Sequence, residues 1–266
     1  MAVISGVVLI VLYVACFTAK WWVPLDPNKQ NLLLGPVSPR ASHWFGTDEL
    51  GRDQFARIVY AGQISLKVGL AVALISTFVG ATLGAVAGYY GKLTDQFLMR
   101  LTDLFLVVPA IAILAIALRK FGHSDTTIIL VLAGLFWMYV ARIVRGQVLS
   151  VKEKEFVEAA RAAGASSPRI ISRHILPNVV GPIVVNATLA VATAIVSEST
   201  LSFLGFGVQP PRTSWGNMLS TAEGYVGTSN AYLLYFPGLA ILVTVLAVNF
   251  LGDGLRDAFD PQGGRK

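Results

Sequence analysis

An all-α polytopic membrane protein with six transmembrane helices is the fold class this sequence predicts, and three observations predict it. The 266 residues are 55% hydrophobic and only 14% charged, with a mean hydropathy of +0.65. A soluble domain carries roughly a quarter charged residues because its surface must face water. The apolar residues also fall into long runs, and a hydrocarbon core about 30 Å thick needs about 20 apolar helical residues to cross it. Finally, the basic residues behind the net charge of +6 lie in the segments between runs. They are not interleaved with aromatics as in a nucleic-acid patch, so no nucleic-acid partner is expected. This composition excludes a soluble enzyme, a disordered tail and a fibrous protein. The single Cys16 excludes a disulfide framework or a thiolate metal cluster.

The first run, 2–19, ends at Lys20, Trp21 and Trp22, a cation and two amphipathic rings suited to the headgroup region. A signal peptide is the rival, but no Lys or Arg precedes the run and no small-x-small cleavage site follows cleanly. Cys16 is read as a buried thiol rather than a lipidation site, because Tyr13 stands three residues upstream. The segment 23–63 is too long for a simple turn, and its Trp44 and Phe45 need cover, so a short interfacial helix or lid is expected there.

The second span, 64–90, is interrupted only by Lys67, whose long side chain can snorkel. Gly80, Gly84 and Gly88 recur every four residues along one stripe, which lets a neighbouring helix approach to backbone contact. The third span, 97–118, carries Arg100, Asp103 and Pro109. The fourth, 128–148, has Arg142 and Arg145 three apart on one face, expected to snorkel to the cytoplasmic interface. The fifth, 179–204, contains Glu198. An ionisable residue costs on the order of 3 kcal/mol at a span centre, against roughly 0.3 to 0.6 gained per large aliphatic residue, so the run can still insert. The sixth is 232–252. Residues 1–63 thus hold the first span and an external segment, 64–256 a transmembrane core, and 257–266 a tail.

With a cytoplasmic N-terminus, the inner segments hold 12 of the 21 Lys and Arg residues, so both termini are expected in the cytoplasm. On this assignment the basic loop 151–178 is cytoplasmic and reads as two short helices. Residues 152–163 are rich in helix formers, with Gly164 at a left-handed C-terminal cap and Glu158 placed to pair with Arg161. Ser166 or Ser167 caps the second helix, Pro168 stands in its first turn, and Pro177 is expected to close it.

Within that loop, Glu158, Ala159, Ala160, Gly164, Leu176 and Pro177 form a pattern that resembles the EAA signature of permease subunits in bacterial ABC importers. His174, where the general pattern is aliphatic, resembles the peptide and nickel branch. Three more stretches are similar to that branch: 45–53, from Phe45 to Asp53; 198–207, from Glu198 to Gly207; and 252–261, from Gly252 to Pro261. Together they resemble the C-type permease subunit of dipeptide and oligopeptide importers.

The resemblance implies a type I ABC importer permease fold in a bacterial cytoplasmic membrane. It implies a heterodimer with a second, B-type permease, two cytoplasmic ATPase subunits, and an extracytoplasmic substrate-binding protein. Glu158, Ala159, Ala160, Gly164, His174, Leu176 and Pro177 would couple the chain to an ATPase, with Glu158 supplying a charged or capping contact. No G-x-x-x-x-G-K-[ST] phosphate loop occurs in the sequence, so ATP and Mg would be used by the partners, and this chain binds no cofactor. Nickel and haem remain alternative cargoes.

An intramembrane carboxylate should avoid lipid, so Glu198, with Ser199 and Phe203, is expected at the pathway or a subunit interface. Structural pairing, pathway lining and proton coupling are all open for it. Asp253 and Asp257 read as helix-end or loop contacts rather than metal ligands, since no His is nearby. The segment 205–231 could touch the binding protein, gate the outer mouth, or pack on the partner permease. The rival from another class, a secondary transporter, should show inverted repeats, and none is found between the halves. An intramembrane enzyme is disfavoured because His43, His123 and His174 all fall in loops.

Overall fold

The structure is a computed structural model that describes residues 1–259. The matches at Asp260 and Pro261 and the basic pair Arg265 and Lys266 lie outside the described residues. In order, the helices are α1 (Ala2–Phe17), α2 (Ala19–Trp22), α3 (Gln54–Tyr90), α4 (Lys92–Val107), α5 (Ala110–Phe121), α6 (Asp125–Val151), α7 (Glu155–Ala162), α8 (Ser167–Ile170), α9 (Val180–Phe203), α10 (Trp215–Ala222) and α11 (Tyr232–Phe259).

Four helices are long and apolar enough to cross a membrane, five if the bent pair α4 and α5 counts as one span, and α1 is a shorter apolar helix. Helix α3 is the axis, packed against α6 and α9, while α1 lies on α11 and α3. Val68 and Val72 of α3 meet Ile128, Ile129 and Leu132 of α6 and Ala194 and Leu201 of α9 in one buried core. Many large apolar side chains stay exposed, including Leu74, Phe78, Leu130, Tyr139 and Leu242. That is the expected outer surface of a helix bundle in lipid or against partner chains.

Several boundaries differ from expectation. Helix α3 begins ten residues before position 64, because Asp53 caps it by accepting a hydrogen bond from the Ala56 amide at 2.9 Å. Its 37 residues run about 55 Å at 1.5 Å per residue, so the polar first turns extend beyond a hydrocarbon core. The third span is not straight. Helices α4 and α5 meet at 82°, because Pro109 lacks an amide donor and drives Val108 into an extended conformation.

The segment 24–53 forms no helix. Its cover is aromatic: Phe45 stacks on Phe236 at 4.0 Å and meets Phe55 edge-on, while Trp44 remains 65% exposed. Cys16 is buried, as expected of a packed thiol. Helix α11 continues past Gly252, which packs close to Thr188 of α9, and Asp253 and Asp257 stand within that helix.

The glycine stripe is a helix seam. A methyl placed on Gly80 would stand 2.6 Å from the Trp137 carbonyl oxygen, and one on Gly84 or Gly88 would meet Ala141 or Val148. The α6 backbone therefore occupies the space that side chains would need on α3.

Candidate functional site

The loop leaving α6 is fastened to the bundle before it turns. Lys152 Nζ donates to the Gly88 carbonyl oxygen at 3.1 Å, placing a cation at the C-terminal end of α3, where unpaired carbonyls and the helix dipole favour it. Helix α7 follows, and Val157 is its anchor. That side chain is fully buried among Val144, Val148, Ile170 and Ile175. With Val157 pointing inward, Phe156, Glu158 and Ala159 face outward, while Ala160 is half-buried against the core.

Gly164 ends the helix as expected. Its φ of +79 is the left-handed conformation, its amide donates to the Arg161 carbonyl at 3.0 Å, and the Ala165 amide donates to the Ala160 carbonyl at 3.1 Å. These two bonds form a Schellman motif. No side chain caps the α7 N-terminus, and Glu158 stands a full turn inside the helix. One finer expectation fails. Among the described residues no ion pair links Glu158 to Arg161 within 4.0 Å; the Lys and Arg ion pairs lie elsewhere.

The second half of the loop corrects the reading of Pro177 as a helix stop. From Ser167 the helical path runs without a break to Phe203. It widens into a π turn over Ile171–Ile175 and tightens into a 3-10 turn over Leu176–Val179 before α9. Pro177 fits because it occupies the first turn of the 3-10 element, where an amide donor is not required. Asn178 Nδ2 donates to the His174 carbonyl at 2.7 Å, bracing the turn from the side chain. His174 and Leu176 are half-buried, and Pro177 is exposed. From Ser167 onward the loop is therefore an elbow joined directly to α9.

Sequence reading missed what braces the elbow from the other side. Arg142 and Arg145 both have carboxylate partners. Arg142 pairs with Asp103, and Arg145 with Asp95, tying α4 to α6 along two steps of an antiparallel pair. Asp95 and Asp103 are eight apart, about two helical turns, and two arginines one turn apart on a neighbouring run were the available signal.

Glu198 avoids lipid in a way the sequence did not reveal, by enclosure within this chain's own helices rather than at an open face. It is fully buried. Ser202 Oγ donates to one carboxylate oxygen at 2.6 Å and Ser65 Oγ of α3 to the other at 3.2 Å. Ser214 Oγ bonds Ser202 Oγ at 3.2 Å, and the Trp215 amide donates to Ser65 Oγ at 3.2 Å. A buried carboxylate is thereby met by donors from α3 and α9 and linked to the start of α10. Ser199 is buried beside it, at the point where Gly216 brings α10 against the α9 backbone, and Phe203 is 39% exposed at the end of α9.

The segment 205–231 accordingly dips back into the protein. Trp215 is 1% exposed and donates from Nε1 to the Ile58 carbonyl at 2.9 Å. Among the described residues no group of three or more His, Cys, Asp or Glu side chains could hold a metal ion.

The family profile described as "Binding-protein-dependent transport system inner membrane component" matches residues 80–262. A second, "N-terminal TM domain of oligopeptide transport permease C", matches residues 1–36. A relative from Brucella suis biovar 1, named for a peptide permease protein, is 42% identical over 98% of this chain and 87% of its own length. The dipeptide transport system permease protein DppC of Alkalihalophilus pseudofirmus is 40% identical over 98% of this chain and 84% of its own. Among solved structures, an inward-facing MetNI methionine ABC transporter aligns with a TM-score of 0.55 at 21% identity, over 74% of this chain and 94% of that chain, a likeness of fold.

Proposed function

The chain belongs to the family of binding-protein-dependent transport system inner membrane components and is a multi-pass permease component with the type I ABC importer fold; on that premise we propose that it forms half of the path of an ATP-driven peptide importer. The observation that carries the coupling role is the elbow: a short helix pinned by Val157 and ended by Gly164, followed from Ser167 by a helical path that runs into α9. An ATPase cleft would receive the outward face of Phe156, Glu158 and Ala159, with Ala160, His174, Leu176 and Pro177 shaping the elbow behind it. Glu158, with no ion-pair partner among the described residues, is available to a basic group across that contact.

A load applied to α7 passes along two rigid routes. One is the helical path into α9, which carries Glu198 and Ser199. The other is the root of the loop, where Lys152 holds α3 and the arginine pairs hold α4. Closing the ATPase pair would then tilt α9 against α3 and switch the cavity between inward and outward access, with Gly80, Gly84 and Gly88 keeping α3 and α6 as one body. The reading places α7 and both termini in the cytoplasm. Its partners are a B-type permease, two ATPase subunits that use ATP and Mg, and an extracytoplasmic binding protein, in a bacterial inner membrane. The peptide cargo follows from the names of the relatives, nickel and haem being the alternatives in the same branch.

The test is reconstitution. With its partners and binding protein, the chain should take up labelled dipeptide only when ATP is supplied, and neither nickel nor haem should be carried or compete. Uptake by the purified chain alone, without ATPases, would refute the assignment.

A further inference from the structure

At the end of the bundle that carries the 24–53 segment, three ionisable side chains from distant parts of the chain converge: Lys67 of α3, Asp125 at the start of α6, and Arg212 in the segment between α9 and α10. Asp125 is the hub. Its side chain is 8% exposed, Lys67 Nζ lies 3.4 Å from Oδ2, and Arg212 Nη2 contacts Oδ1. One negative charge thus serves two positive charges and leaves one positive charge in surplus. Neither cation is used up by the contact, since the Lys67 side chain is 54% exposed and that of Arg212 is 49% exposed.

Both cations and Asp125 line a cavity of about 530 Å³, shared with Phe17, Tyr60 and Ile64. Charged groups on spanning helices avoid hydrocarbon and face water-filled paths, protein or the headgroup region, so the charged wall of this cavity should not face the hydrocarbon core. The volume suits a small organic ligand. Its polar part is matched to an oxyanion, because a guanidinium fork and an ammonium can bind two carboxylate oxygens together. Its apolar part gives a side chain something to lie against. Neither the coupling elbow nor the Glu198 node makes use of this cluster.

We propose that the Lys67, Asp125 and Arg212 cavity is a transit site for the terminal carboxylate of a short peptide, an inference that rests on the peptide-importer reading above. Asp125 positions the two cations, and the surplus positive charge is neutralised by the cargo. The apolar wall of Phe17, Tyr60 and Ile64 accepts whichever side chain the cargo carries, which lets the site hold peptides by their shared end group rather than by sequence.

The experiment uses the complete complex in vesicles, with its binding protein saturated by either Ala-Ala or the same dipeptide as its C-terminal amide. Uptake per ATP hydrolysed is measured for the wild type, for Lys67→Gln combined with Arg212→Gln, and for Arg212→Lys alone, which keeps the charge and loses the fork. The wild type should favour the free acid over the amide at least tenfold. The double variant should carry acid and amide alike, and Arg212→Lys should fall between. Because each protein is its own control across the two peptides, a general loss of folding cannot imitate this change in ratio.

An unchanged ratio in the double variant would overturn the proposal. So would a defect seen only in vesicles containing phosphatidylglycerol and absent in purely zwitterionic ones, which would assign the cations to a lipid phosphate. If the wild-type complex carries neither peptide under ATP, it is the importer reading itself that has failed, a result distinct from loss of the acid preference.

Discussion

Adding a single methyl group to the glycine stripe should loosen the largest helix seam in the protein by a predictable amount. On Gly80 it would stand 2.6 Å from both the Trp137 carbonyl oxygen and Val140 Cβ; on Gly88, 2.9 Å from Val148 Cβ. With ordinary contact at about 3.5 Å, α6 must retreat about 0.9 Å at the first site and about 0.6 Å at the second. Overpacking of this kind costs about 1 to 3 kcal/mol, and the better helix propensity of Ala returns about 0.5 to 1. Gly80→Ala and Gly84→Ala should therefore each destabilise the chain by up to about 2.5 kcal/mol, about 1 at mid-range. Because one retreat of α6 relieves all three contacts, the triple variant should cost less than the sum of the singles.

Gly134 and Gly146, on the facing helix α6, have nothing within 4 Å of the added carbon, so their Ala variants are internal controls that should be neutral or slightly stabilising. The assay is thermal unfolding of the purified chain in detergent. Stripe variants as stable as the wild type, or control variants as damaging as the stripe, would refute the claim that backbone proximity at these positions holds α3 to α6.

Three other outcomes follow from the same geometry. At Gly164 the space around an added carbon is open and only the φ of +79 resists. Gly164→Asn should therefore keep most ATP-coupled uptake, while Gly164→Val, at a cost of about 1 to 2 kcal/mol in the left-handed region, should lower uptake per ATP hydrolysed. Glu198→Ala strands the Ser65 and Ser202 hydroxyls in the core and should lose about 1 to 3 kcal/mol in thermal stability, whereas Glu198→Gln, which can still accept and donate there, should lose less. Breaking the Arg145 pair by Asp95→Asn should cost about 1 kcal/mol and release α4, read as faster amide exchange in residues 92–107, and exchanging the two charges between the positions should restore part of it.

The sequence by itself determined the solvent, and with it most of the architecture. Apolar runs of spanning length have no stable alternative in lipid but helix, because every backbone donor must be paired within its own segment. The glycine spacing of four announced a close seam for the same local reason, and Gly164 announced a left-handed cap. In each case the information lies within one or two helical turns, where spacing alone dictates which groups are neighbours. The partner of that seam was not local, and only the fold shows it to be α6.

Tertiary structure decided whatever depended on which charge meets which across distant segments. Arg142 and Arg145 look unpaired until α4 packs on α6 and sets Asp103 and Asp95 beside them. Glu198 has three open roles until α10 turns inward, seats Trp215 over Ser65 and leaves the carboxyl paired inside the chain. Pro177 looks like a stop until π and 3-10 turns absorb its missing donor. The physical reason is clearest at Glu198: burying a charge or an unpaired polar group costs several kcal/mol unless a partner is supplied. A sequence shows the cost at each such residue, but only the packed bundle shows where the compensation comes from.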